Sequence, residues 1–187
     1  LIFTSFHVLL TICAISIFYG FFTYRLISPG KENIKFDSLP KYYVYWSVLI
    51  ASLPALSFLL FTAVGDGILF KLWLQDFYPN LLQLNQTDKE INFIKVMNEV
   101  DGITFGKTES WVVPAADAWR RWSTASSNMI FFGCVAISII CGYLALKKVS
   151  PTFKARSHVE KIVLWILGLS SLVAILTTRG IVLSVLF

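Results

Sequence analysis

The sequence predicts an all-α, polytopic membrane protein with four transmembrane helices and a small helical subdomain between helices two and three. Three observations lead there. Of the 187 residues, 56% are hydrophobic and only 14% are charged, with a mean hydropathy of +0.70. That leaves too little polar surface to cover a soluble core of this size. Four long runs are nearly free of Asp, Glu, Lys and Arg. The basic excess behind the net charge of +5 is gathered into two short connectors between those runs, a membrane-topology signal rather than a nucleic-acid one.

The first run, 1–24, is free of charge apart from His7. As a helix it reaches about 36 Å, enough to cross roughly 30 Å of hydrocarbon. It lacks the basic n-region and small-residue cleavage site of a signal peptide. The second span, 42–65, opens on Tyr42, Tyr43, Tyr45 and Trp46, which suit an interfacial aromatic belt. Pro54 is expected to kink it, because the ring removes a donor and crowds the preceding turn. Gly65-Asp66-Gly67 reads as its outer end, with Asp66 in contact with water. The third span is 122–146. The fourth, 162–187, is interrupted only by Arg179. Backbone groups in lipid must be satisfied within the segment, so runs of this length are helices rather than strands.

The connectors set the orientation. Loop 25–41 carries Arg25, Lys31, Lys35 and Lys41 against Glu32 and Asp37. Loop 147–161 carries Lys147, Lys148, Lys154, Arg156 and Lys161 against Glu160. Both are expected to be cytoplasmic, with 66–121 and both chain ends on the other side. Within 71–121 acids and bases nearly balance. Leu81, Leu82, Leu84, Ile91, Ile94 and Val96 form an apolar face at helical spacing, opposite Asp88, Lys89, Glu90 and Lys95. A loop follows over 98–107. A helix then starts between Ser110 and Pro114 and runs unbroken into span three. Ser150-Pro151 is read as the cap and first turn of a separate amphipathic helix over 152–161, lying on the membrane face. The sequence begins without Met and stops within an apolar run, so it is expected to be a piece of a longer protein.

The chemistry-bearing residues are few. Cys13, Cys134 and Cys141 lie in apolar runs with no C-x-x-C pair, and read as small buried residues rather than metal or redox ligands. The stretch 102–108, GITFGKT, superficially resembles a phosphate-binding loop. It has three residues between its glycines where four are needed, and no strand precedes it. His7 and His158 have no metal-ligand spacing. No catalytic, cofactor-binding or metal residue is therefore expected. Gly133, Cys134, Ser138, Cys141 and Gly142 form a small-residue face suited to helix packing. Arg179 is costly in hydrocarbon unless it finds a partner, a wet cavity or a nearby interface to snorkel to. With Thr177 and Thr178 it is the candidate lining of a translocation path.

One resemblance is specific. Phe153-Lys154-Ala155-Arg156-Ser157-His158-Val159-Glu160, followed by Ser171-Leu172-Val173-Ala174-Ile175-Leu176-Thr177-Thr178-Arg179-Gly180-Ile181-Val182-Leu183-Ser184, resembles the start of the permease core in PstC-type phosphate ABC transporter subunits. Leu39-Pro40-Lys41-Tyr42-Tyr43 and Leu53-Pro54-Ala55-Leu56 are similar to features of that family's extended N-terminal region. The likeness is closest over 152–187, looser over 1–65 and least in the outer segment. Arg179 stands where the family pattern has a hydrophobic residue.

The resemblance implies an N-terminal membrane extension over 1–150, and a cytoplasmic elbow with the first, truncated helix of the permease core over 151–187. It implies a permease subunit of an importer of inorganic phosphate in the bacterial inner membrane, with 66–121 in the periplasm. The implied partners are a second, PstA-type permease subunit, ATPase subunits and a periplasmic phosphate-binding protein, besides the lipid bilayer. ATP hydrolysis would then belong to a separate subunit. The alternatives are a stand-alone four-helix sensor or assembly protein with a periplasmic helical domain, and a membrane enzyme. The shortage of convergent ionisable residues disfavours the enzyme.

Overall fold

The computed structural model describes residues 5–27, 37–78, 85–103, 109–150 and 152–186. These form five helices: α1 (Ser5–Ile27), α2 (Pro40–Leu74), α3 (Gln86–Val100), α4 (Val112–Lys148) and α5 (Ala155–Leu186), with a 3-10 turn at Gln75–Phe77. No strand occurs among the described residues. Helices α1, α2, α4 and α5 are each long and apolar enough to cross a membrane. Large apolar side chains on them stand open, among them Phe61 at 79% and Trp165 at 74% of full exposure. Soluble monomers rarely show such surfaces, whereas lipid solvates them at no cost.

The residues divide into two compact units, one of 1–12 with 54–137 and one of 13–53 with 138–187. In the first unit, α2 does not end at Gly65-Asp66-Gly67 as expected but continues to Leu74. Each glycine costs about 1 kcal/mol in a helix interior. Burial offsets this beyond them, because Phe70 and Leu74 are packed away from solvent. The Ser126 hydroxyl on α4 also donates to the Asp66 carboxylate, so that group has a protein donor rather than water alone.

An aromatic cluster closes this unit. Phe70 meets Trp119 at 5.7 Å between ring centroids, Trp73 meets Trp122 at 5.7 Å, and Phe93 of α3 meets Trp119 at 5.7 Å. Leu74, Tyr78, Val96, Val112, Ala115 and Ala116 form the buried centre beside it. The apolar face of α3 departs from expectation: Phe93, Val96, Met97 and Val100 pack inward, while Ile91 and Ile94 are exposed. Residues 93, 96, 97 and 100 keep the i, i+3, i+4, i+7 spacing of one stripe, which 91 and 94 miss. Leu81, Leu82 and Leu84 lie outside the described residues. Helix α3 ends in a Schellman motif. The Gly102 amide donates to the Glu99 carbonyl (3.3 Å) and the Ile103 amide to the Asn98 carbonyl (2.8 Å), with Gly102 at φ +71°. The guanidinium of Arg120 donates to the last-turn carbonyls of Glu99 (2.9 Å) and Val100 (3.1 Å).

In the second unit α1, α2 and α4 approach closely at glycines. A Cβ on Gly20 would stand 2.8 Å from Val48, and one on Gly142 would stand 2.5 Å from the Tyr19 ring. The Tyr19 hydroxyl donates to the Ile139 carbonyl at 3.0 Å. The buried hydroxyls of Thr23 and Ser47 join at 2.7 Å, and Thr23 donates to the Tyr19 carbonyl at 2.8 Å. The expected small-residue face of α4 is thus a packing face. Gly133 and Cys134 serve the first unit, against Phe58 and the Ala55 carbonyl, and Ser138 and Gly142 serve the second. Cys134 is buried as read from sequence, but Cys13 is exposed on α1.

The separate amphipathic helix expected over 152–161 is absent: α5 starts at Ala155 and runs without a break into the fourth span. Ser150 caps no helix there. It heads a turn in which its carbonyl accepts the Phe153 amide at 3.1 Å, and Pro151 lies outside the described residues. Ala155, Val159 and Ile162 dock at i, i+4, i+7 spacing against α2 and α4 residues of this unit. With no Pro or Gly between 155 and 162, propagation of the helix is the favourable course.

Two outcomes test this packing. Gly142→Ala is expected to lower stability by about 1–3 kcal/mol through overpacking against Tyr19, read as a drop in unfolding temperature in detergent. Gly102→Ala forces a side chain into the left-handed region, and should cost about 1 kcal/mol, read as faster amide exchange over the last turn of α3. An unchanged exchange rate there would contradict the Schellman assignment.

Candidate functional site

Arg179 lies on α5, about 36 Å along the helix from Ala155 and roughly 10 Å from its last residue, at 1.5 Å per residue. It is exposed, and no carboxylate pairs with it among the described residues. Thr177 and Thr178 precede it. The Thr177 hydroxyl donates to the carbonyls of Val173 (3.0 Å) and Ala174 (2.9 Å), and the Thr178 hydroxyl to that of Ala174 (2.8 Å). Such back-bonding is how a helix in hydrocarbon hides a hydroxyl. It leaves the Thr oxygens as acceptors, so the donors available to an anion here are those of the Arg179 guanidinium. All of α5 from 163 to 184 is exposed on every face. The structure therefore groups the three residues by helical adjacency alone.

Polar contacts invisible in the sequence occur elsewhere. Ser126 with Asp66 ties α4 to α2 in the first unit. No motif announces that pair, and the only hint is a carboxylate flanked by apolar turns. In the second unit the Tyr43 hydroxyl donates to the Phe153 carbonyl at 2.8 Å, holding the turn before α5. His158 stacks on Phe153 at 4.9 Å and 10°, and Trp46 lies 5.1 Å from Phe153. At the far end of the first unit, Glu109 accepts from Lys95 Nζ at 2.6 Å and from Trp111 Nε1 at 2.7 Å. These hydrogen bonds, Lys95 first and Trp111 second, hold its carboxyl below the usual carboxylate range. Among the described residues no three His, Cys, Asp or Glu side chains gather closely enough to hold a metal ion. The glycine-rich stretch 102–108 is described only at Gly102 and Ile103, with 104–108 outside the described residues.

The fold and its polar spots define a polytopic membrane protein whose ionisable side chains stay near helix ends and connectors, with Arg179 set apart on the fourth span. The particular assignment comes from comparison with known families. The chain belongs to the family described as phosphate ATP-binding cassette transporter, whose model matches residues 7–177. No curated protein and no solved structure shows significant similarity to it. The chain is therefore a membrane component of phosphate transport. The match takes in Thr177, while Thr178 and Arg179 lie just beyond it.

Two measurements follow from this geometry. Removing the Ser126 hydroxyl by Ser126→Ala leaves Asp66 one donor short, and should destabilise the protein by about 1–3 kcal/mol, read as the unfolding temperature in detergent. Since the folded pKa of Glu109 is depressed, its pairing supports the structure above the unfolded value near 4.5 and is lost as pH falls through the lower folded value. Amide exchange at the start of α4 should accelerate below about pH 4.5 in the native chain and lose that acid dependence in Glu109→Gln.

Proposed function

We propose that this chain is the N-terminal region of a permease subunit of an importer that moves inorganic phosphate across the bacterial inner membrane. Residues 1–150 form a membrane extension, and 151–187 begin the permease core. A second permease subunit of the PstA type, ATPase subunits and a periplasmic phosphate-binding protein complete the machine. The chain itself contributes no hydrolytic step.

The family match over 7–177 carries the phosphate part of this reading. The permease part is supported by α5. Its first two turns are anchored by Ala155 and Val159, yet every residue of 163–184 is exposed. Helices in a bilayer gain stability mainly by packing and hydrogen bonding with other helices. A helix docked at its start and exposed on every face from 163 to 184 suits the first element of a larger helical core. The orientation follows from the basic connectors: 25–41 and 147–161 lie in the cytoplasm, and 66–121 in the periplasm.

In the assembled permease, Arg179 with Thr177 and Thr178 lines the phosphate path. A guanidinium presents several donors in a rigid fork that matches phosphate oxygens, and it stays charged in a low-dielectric setting. The alternative, snorkelling to the interface, predicts that the side chain is replaceable.

Phosphate uptake in cells expressing the complete transporter separates these readings. Arg179→Glu should lower initial uptake roughly tenfold, in keeping with the loss of focused positive potential, while Arg179→Lys should retain most of it. Uptake unaltered in both Arg179→Glu and Arg179→Leu would remove the residue from the path. Orientation is tested by impermeant thiol labelling after the three native cysteines are replaced. A cysteine at position 95 should react in intact cells and one at 154 only after lysis. The reverse pattern would invert the topology and sink the permease assignment.

A further inference from the structure

The second unit holds a cavity of about 340 Å³ between α2 and α4, lined by Trp46, Ile50, Cys141, Leu144, Ala145, Lys147 and Lys148. Its walls are apolar along Ile50, Leu144 and Ala145, and its one charged edge is the pair of lysines that ends α4. Trp46 is more than nine-tenths buried, and its indole Nε1–H has no acceptor among the described residues. That nitrogen is closed to solvent, so Trp46 meets the cavity through its other atoms. The ring itself is fixed in place, 5.1 Å from Phe153 and 5.4 Å from His158 between centroids.

Charge and level in the membrane narrow the ligand. Lys147 and Lys148 stand at the end of a transmembrane helix, and Trp46 follows the tyrosines at the start of another, where interfacial aromatics gather. The Lys147 ammonium rests over the Tyr143 ring at 5.1 Å, which leaves its hydrogen-bond donors unclaimed. The acid that accompanies this basic end, Glu160, is already paired with Arg156 at 2.7 Å. A ligand that fits must offer an anionic head to two ammonium groups and an apolar tail to Ile50 and Leu144. Inorganic phosphate supplies the first and not the second. Its hydration would be lost against walls that give nothing in return.

We propose that this cavity is a binding site for an anionic phospholipid. The headgroup phosphate sits against Lys147 and Lys148, and an acyl chain lies along Ile50 and Leu144. The site is separate from any phosphate path, and the proposal does not depend on the transport reading. Its consequence is a lipid pinned between α2 and α4 at the basic membrane face.

Native mass spectrometry of the full subunit decides the matter, with phosphatidylglycerol, phosphatidylcholine and inorganic phosphate as probes. The native protein should retain phosphatidylglycerol in preference to phosphatidylcholine. Lys147→Gln/Lys148→Gln should weaken that retention by roughly tenfold or more, as the attraction of a surface lysine for anionic lipid implies. Lys89→Gln/Lys95→Gln, with the same change in net charge, should leave it intact. Equal retention of both lipids, or no loss in the Lys147/Lys148 variant, would overturn the proposal. Displacement of the lipid by millimolar inorganic phosphate would overturn it in favour of a free-anion site.

Discussion

A peptide group left without a hydrogen bond in hydrocarbon costs several kcal/mol, and this constraint lies beneath everything else in the molecule. It explains why the apolar runs are helices, why hydroxyls inside them turn back on their own carbonyls, and why α2 continues as one helix through Pro54. Thr11, Ser52, Thr62 and Thr177 all donate to a carbonyl three or four residues earlier. These four hydroxyls are settled within their own helix. The Arg179 guanidinium cannot be, since it has no acceptor of its own to turn back on.

Once the helices are closed to solvent, apolar burial contributes little to bringing them together, because lipid solvates their side chains equally well. The contacts that hold the second unit are accordingly close backbone approaches at Gly20 and Gly142 and a few polar links, Thr23 to Ser47 and Tyr19 to the Ile139 carbonyl. The first unit adds a different chemistry at its far end. There, tryptophans and phenylalanines from α2, α3 and α4 cluster beside ion pairs and a capped helix terminus, as in a water-soluble core. One chain thus packs by two rules: small residues where α1, α2 and α4 meet in the second unit, large aromatics around α3 in the first.

That contrast bears on function. A family role in phosphate transport needs a stable frame in the bilayer and surfaces for other components. The frame is built from α1, α2 and α4, whose polar content is spent on packing. The open faces of α5, with the cation at Arg179, are what the described chain offers to something else. The lysines at the end of α4, beside the apolar groove of Ile50 and Leu144, offer a second surface, which we propose takes lipid.

The sequence by itself determined the four spans, the all-α class and the small-residue face of α4, because these rest on run length and residue size, which neighbours cannot change. It carried the family resemblance as well, and placed Thr177, Thr178 and Arg179 together through their adjacency. It misplaced the end of α2, the inward stripe of α3 and the start of α5. Those depend on which residues find a partner: Phe70 and Leu74 keep α2 helical past two glycines, Val96 rather than Ile91 meets the aromatic cluster, and Ala155 with Val159 draws α5 into one piece. The Ser126–Asp66 link belongs to tertiary structure alone, since it relates residues 60 positions apart and no local pattern encodes it.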